Sequence, residues 1–203
     1  MGRRRVVIFD RDGTLIDFVR DEELGIVTPA FHPAHVRWLD GVLDGLARVQ
    51  AAGFAIAIAT NQPGAAKGEV SEEAIRRVER TVRERLGDAG IAVAAYKACL
   101  HHPAGGDGGR PDLVRECACR KPKSGLLQAI LEELDADAAT SWMIGDTLTD
   151  MEAGRAAGMR VGLVQRKGRC EICPLPQQPD GLIVVPPFAV FGSFTQACEE
   201  VLR

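Results

Sequence analysis

The sequence predicts an α/β fold: a doubly wound parallel sheet with helices on both faces, packed in three layers. Three observations carry the prediction. Apolar runs such as Val6-Val7-Ile8-Phe9 are continuous rather than alternating, as in strands buried on both faces. These runs alternate along the chain with stretches of helical spacing, the pattern of strands joined by crossover helices. Polar residues with chemical capability, Asp10, Thr60 and Asp146, stand just after apolar runs, where open α/β sheets bind their ligands.

The elements follow in order. Val6 to Phe9 forms the first strand, and its carboxyl end delivers Asp10. Residues 18–40 read as an irregular stretch containing Pro29 and Pro33, with His32 and His35 in solvent and Asp17 before it as a turn or surface acid. Val42, Leu46 and Val49 recur at helical spacing, with Gly53 as the stop signal. Phe54 to Ala59 is a second strand ending at Thr60-Asn61-Gln62. Ser71 caps a charged helix running towards Leu86, with Glu72 and Glu73 favourable in its first turn. A third strand, about Ala92 to Ala98, leads into a glycine-rich loop that spans Cys99 to Lys121. Ser124 caps the next helix, whose apolar positions are Leu127, Ile130, Leu131 and Leu134. Trp142 to Ile144 is a strand ending at Gly145-Asp146, Ala153 to Ala157 lies in a short helix, and Val161 to Val164 is the last strand expected. The tail, about 166–203, is Pro-rich and carries no periodic signal. No repeat or linker divides the chain, so residues 1–203 are expected to form one domain.

Composition narrows the function classes. A net charge of −3 gives no basic footprint for nucleic acid or anionic membrane, so a small substrate is favoured. The run Val6 to Phe9 is too short for the apolar part of a signal peptide, and no apolar stretch is long enough to span a bilayer. A monomeric cytoplasmic protein is expected. The 6 cysteines then read as thiols or metal ligands rather than disulfides. The alternating charges from Arg76 to Arg85 suit a solvated helix face.

The residues at the strand ends suit hydrolysis of a phosphate ester. That reaction needs an oxygen held in line with phosphorus, positive charge on the equatorial oxygens and a proton for the leaving alcohol. Asp10 is the candidate nucleophile and Asp12, two residues on, the candidate acid and base, with Gly13 permitting the turn between them and the next segment. Asp146 adds a third hard oxygen ligand, which calls for Mg²⁺. Thr60 with Asn61 supplies hydrogen bonds to phosphate, and Lys121 a point charge.

A second metal is expected in the long loop. Cys99-x-His101 and Cys117-x-Cys119 provide three thiolates and one imidazole, a closed structural Zn²⁺ set with no ligand position left for water. His102 competes with His101 by spacing alone. Zinc there would stiffen the segment carrying Arg120 and Lys121. Cys170-x-x-Cys173 lacks a second pair and reads as packing or surface.

Asp10-Arg11-Asp12-Gly13-Thr14, Thr60, Lys121 and Gly145-Asp146-x-x-x-Asp150 resemble, in order, the four motifs of the haloacid dehalogenase (HAD) superfamily phosphatases. The resemblance implies that Asp10 is the nucleophile, that Asp12 is the acid and base, and that Mg²⁺ sits on Asp10, the Asp12 carbonyl and Asp146, with Asp150 in support. Asp10-Arg11-Asp12-Gly13-Thr14, Thr60-Asn61-Gln62, the cysteine loop and Arg120-Lys121-Pro122 together are further similar to the subgroup acting on heptose bisphosphates and histidinol phosphate, whose members are compact and capless. The length of the loop favours the heptose branch, in which Arg120 would grip the sugar or its second phosphate. Three departures weigh on the substrate: the longer 18–40 segment, Lys67 where arginine is usual, and Thr147 where many members carry lysine.

Overall fold

A computed structural model of the chain describes residues 3–165 and 188–203. The first strand, β1 (Val6–Phe9), is followed by a small hairpin of β2 (Val19–Asp21) and β3 (Ile26–Thr28), paired antiparallel. Then come α1 (Val42–Ala51), β4 (Ala55–Asn61), α2 (Glu72–Asp88) and β5 (Val93–Cys99). Past the long loop lie α3 (Gly125–Glu133), β6 (Trp142–Gly145), α4 (Leu148–Ala156), β7 (Arg160–Val164), β8 (Ala189–Phe191) and α5 (Phe194–Val201).

Six strands form one sheet in the order β5-β4-β1-β6-β7-β8, and every pair in it is parallel. The side-chain period of two sorts β1 between the layers. Val7 and Phe9 join a core made with α1, α2 and α5, while Val6 and Ile8 join a second core made with α3 and α4. The three-layer expectation is met. The chain builds outward from β1 through β4 and β5, then returns to lay β6, β7 and β8 on the other side. The switch point therefore falls between β1 and β6, the place where such sheets bind ligands.

Three expectations, on residues 18–40, the Ser124 cap and the tail, need correction. Residues 18–40 are not wholly irregular: Arg20, Asp21, Glu22 and Glu23 conceal the hairpin, whose reversal uses Gly25 at φ +64°. The short helix expected around Ala153 is α4, whose start at Leu148 follows from a capping box formed by Thr147 and Asp150. Ser124 precedes α3 but makes no side-chain cap hydrogen bond, its own backbone being already helical. The tail is structured where it is described: β8 extends the sheet beside β7, and α5 packs on α1. Gly53 at φ +85° does end the α1 turn, and Ser71 caps α2 through its hydroxyl, which accepts from the Ala74 N–H at 3.2 Å. Cys170 and Cys173 lie outside the described residues. Among the described residues no helix is long and apolar enough to cross a membrane.

Candidate active site

Asp10 leaves the carboxyl end of β1 with its N–H donating to Ile144 O at 2.9 Å, which locks the loop against β6. Gly13 follows at φ +84°, a region unfavourable for residues with a Cβ, and a Cβ there would overlap the Asp146 carboxylate. The glycine thus lets the acid after β6 approach the loop after β1. Thr14 Oγ1 donates to Asp146 Oδ1 at 3.2 Å. One carboxylate oxygen each from Asp10, Asp146 and Asp150 comes within 4.8 Å of the other two.

Lys121 reaches this cluster from 111 residues along the chain. Its Nζ lies 2.7 Å from Asp10 Oδ1 and 2.5 Å from Asp150 Oδ1, and donates to Ala59 O at 2.9 Å. Asn61 fixes it further through a reciprocal pair: Nδ2 donates to Lys121 O at 3.0 Å, and Lys121 N donates to Asn61 Oδ1 at 3.1 Å. Burial opposes the Lys121 charge, but Asp10 and Asp150 outweigh it and hold the ammonium above its usual range.

One ammonium does not neutralise three acids. Burial raises the Asp10 carboxyl to about 6, Lys121 opposing and Asp150 and Asp12 reinforcing. Burial, with the like charges of Asp10 and Asp150 reinforcing and Lys121 opposing, pushes Asp146 well up. Converging carboxylates with negative charge left over suit a hard, oxygen-seeking divalent cation, so the residues present fit Mg²⁺. The third ligand suggested for Asp12 is not its side chain, which points into a different set of contacts.

Asp12 is held by a buried network. The Arg11 guanidinium, wholly buried, forks onto it, with Nε 3.0 Å from Oδ2 and Nη2 3.2 Å from Oδ1. Arg11 Nη1 donates to Tyr96 OH at 3.3 Å. Gln62 Nε2 donates to Asp12 Oδ2 at 2.6 Å and to Thr60 Oγ1 at 2.9 Å. Burial opposes the Arg11 charge, and Asp12 and Tyr96 more than restore it. Gln62 and Tyr96 received no role from the sequence: Gln62 counted only as part of the Thr60-Asn61-Gln62 run that follows the subgroup pattern, just past β4, and Tyr96 only as a residue inside β5.

A cleft of about 260 Å³ opens over these groups, with Asp10, Asp12, Thr60, Arg120 and Lys121 on its polar side and Phe18 facing them from the hairpin segment. Beside it the predicted zinc ligands converge. Cys99 Sγ lies 3.6 Å from His101 Nδ1, 3.7 Å from Cys117 Sγ and 3.3 Å from Cys119 Sγ, and His101 Nδ1 is 3.3 Å from Cys119 Sγ. A tetrahedral zinc bonded at about 2.3 Å to sulfur and about 2.0 Å to nitrogen needs edges of about 3.5 to 3.8 Å. The donor set and spacing fit Zn²⁺. His101 joins the cluster, whereas His102 Nδ1 accepts from the Ala104 N–H at 3.3 Å. Zinc on Nδ1 leaves the proton on Nε2, so Arg115, whose Nη2 lies 2.8 Å from that atom, would have to move aside. Arg120 is tied to the cluster by its N–H, which donates to Cys117 Sγ at 3.3 Å, and by Nη1, which donates to His101 O at 3.4 Å.

The HAD-hydrolase-like family model matches residues 118–185. The chain is also 32% identical over 164 residues to the D-glycero-beta-D-manno-heptose-1,7-bisphosphate 7-phosphatase of Yersinia pestis, covering 80% of this chain and 81% of the relative. The chain belongs to the HAD phosphatases. Another HAD relative, the enzyme of the same name from Vibrio cholerae, is 31% identical over 182 residues, 88% of each chain. A crystal structure of D,D-heptose 1,7-bisphosphate phosphatase from B. bronchiseptica, complexed with magnesium and phosphate, superposes with a TM-score of 0.71 at 28% identity over 98% of both chains. Within the HAD fold, the segment between β1 and α1 holds only the hairpin and a short 3-10 turn, Pro33–His35, in place of a large cap.

Proposed function

We propose that this chain is a Mg²⁺-dependent phosphatase that works through an aspartyl-phosphate on Asp10 and removes the C7 phosphate of D-glycero-D-manno-heptose 1,7-bisphosphate. The observation that carries the chemistry is the convergence of Asp10, Asp146 and Asp150 on Lys121 at the sheet's switch point. The names of the relatives favour the heptose substrate.

Mg²⁺, held by Asp10 and Asp146 with Asp150 in support, would neutralise charge between the carboxylates and the phosphoryl group. Asp10 attacks phosphorus as the ester bond breaks, and Asp12 gives its proton to the departing sugar oxygen. In the second step Asp12 takes a proton from water as the water oxygen bonds phosphorus, and the Asp10–phosphorus bond breaks. Lys121 and Thr60 stabilise the equatorial oxygens in both steps. Asn61 holds the Lys121 backbone in place through its reciprocal pair. Arg120 faces the sugar or its second phosphate, and Cys99, His101, Cys117 and Cys119 would hold a Zn²⁺ that would fix the turn presenting it. The same reading takes residues 1–203 as one unit, a cytoplasmic monomer acting on a phosphorylated sugar without nucleic acid or membrane as partner.

Phosphate release from heptose 1,7-bisphosphate, histidinol phosphate and fructose 1,6-bisphosphate tests the reading. The heptose ester is expected to be fastest, in a Mg²⁺-dependent reaction that Asp10→Asn abolishes. Preference for histidinol phosphate would overturn the substrate, and an active Asp10→Asn variant would overturn the chemistry.

A further inference from the structure

We infer that Gln62 is a positioning residue that aims two catalytic groups at once, the Asp12 carboxylate and the Thr60 hydroxyl. The inference rests on the phosphatase reading above and deepens it. Gln62 is 1% exposed, at the end of β4, with its N–H pinned to Cys99 O at 2.7 Å. Its amide nitrogen has two hydrogens. One goes to Asp12 Oδ2 at 2.6 Å and the other to Thr60 Oγ1 at 2.9 Å.

Each bond has a directional consequence. Asp12 Oδ2 is already met by Arg11 Nη2 at 2.9 Å and Arg11 Nε at 3.0 Å, so Gln62 makes it the crowded oxygen. Oδ1 has longer contacts, 3.2 Å from Arg11 Nη2 and 3.4 Å from the Ala30 N–H. The transferable proton is therefore carried on Oδ1: it passes to the leaving alkoxide as the ester bond breaks and is regained from water in the second step. At Thr60, accepting a hydrogen from Gln62 turns the hydroxyl's own hydrogen away from Gln62, leaving it to donate to a phosphoryl oxygen in the cleft. Arg11 closes the clamp from behind, with Tyr96 OH setting its Nη1.

A residue that acts through the acid matters most when the leaving group is a poor one. Gln62→Met removes both donors, and Gln62→Asn keeps the amide but withdraws it by about one bond, roughly 1.5 Å. For each variant kcat and KM are measured with a sugar phosphate and with p-nitrophenyl phosphate, whose phenolate departs without protonation. Gln62→Met is expected to lose about 10²-fold in kcat on the sugar phosphate, with KM little changed, and several-fold less on the nitrophenyl ester. Gln62→Asn should show the same selectivity at smaller size, which keeps the test open if the methionine variant misfolds. Equal losses on both esters would overturn the inference while leaving the phosphatase intact. Release that persists in Asp10→Asn would instead overturn the aspartyl-phosphate chemistry on which the inference rests.

Discussion

Lys121 is buried between Asp10 and Asp150, and each of the three depends on the others. Breaking a buried ion pair by removing one partner strands the remaining charge, at a cost of about 3 to 5 kcal/mol. Lys121→Met is accordingly expected to destabilise the protein in EDTA by about 3 kcal/mol in urea denaturation, and to lower phosphate release by about 10²-fold or more. Arginine should not rescue it, because a planar fork cannot replace a point charge that meets Asp10, Asp150 and Ala59 O together. Asp10 supplies a pH prediction. Its carboxyl titrates at about 6 in place of 3.8, so the metal-free fold favours the protonated acid. That contribution is complete below the ordinary value and is lost as pH rises through about 6, so EDTA-treated protein should lose stability over that interval. Mg²⁺ needs the ionised form and behaves oppositely. Its affinity by calorimetry should weaken from pH 7 to pH 5, by up to about tenfold per unit for one displaced proton; an affinity independent of pH would contradict Asp10 as a ligand.

At the scale of elements, the loop between β5 and α3 has little apolar material of its own: Leu113 is its one buried large aliphatic residue. A zinc ion on Cys99, His101, Cys117 and Cys119 would supply the cross-links that packing does not. Metal analysis should find one zinc per chain in wild-type protein and a loss of that zinc in Cys119→Ser. The serine variant should also melt at lower temperature and turn over more slowly, because Cys119 directly precedes Arg120 and Lys121. Zinc loss with full activity would show that the turn stands without metal. The same region shows what sequence reveals and what it hides. Two short Cys and His pairs mark the cluster because ligand chemistry restricts residue type at each position. The run Val6-Val7-Ile8-Phe9 marks its strand because burial on both faces demands it. The hairpin leaves no such mark, since β2 and β3 are only partly buried and tolerate Arg20 and Asp21. The role of Gln62 is silent for another reason: the Thr60-Asn61-Gln62 run fits the subgroup pattern, but the partner of the amide, Asp12, is 50 residues away.

On the scale of the whole molecule, the terminal segment completes the core behind the active site. Helix α5 lays Phe194, Ala197, Cys198 and Val201 against the face shared with α1. The Phe194 ring stands 5.4 Å from that of Phe9, the residue immediately before Asp10. The fit is close: a Cβ on Gly45 of α1 would sit 2.9 Å from both Cys198 Sγ and Phe194 Cε1. Sequence periodicity did not reveal this closure, because β8 is three residues long, α5 is eight, and both follow a Pro-rich stretch. Truncating a buried phenylalanine costs about 3 to 5 kcal/mol. For a chain of this size each kcal/mol shifts the melting midpoint by about 2 to 4 °C. Phe194→Ala should therefore lower the midpoint by roughly 10 °C. Phe194 belongs to the core on the face of β1 opposite α3 and α4, beside Phe9 and Gly45, so kcat measured well below the transition should stay within about twofold of wild type. A large loss of kcat with the midpoint unchanged would mean that α5 acts on Asp10 through Phe9, rather than by holding the two layers together.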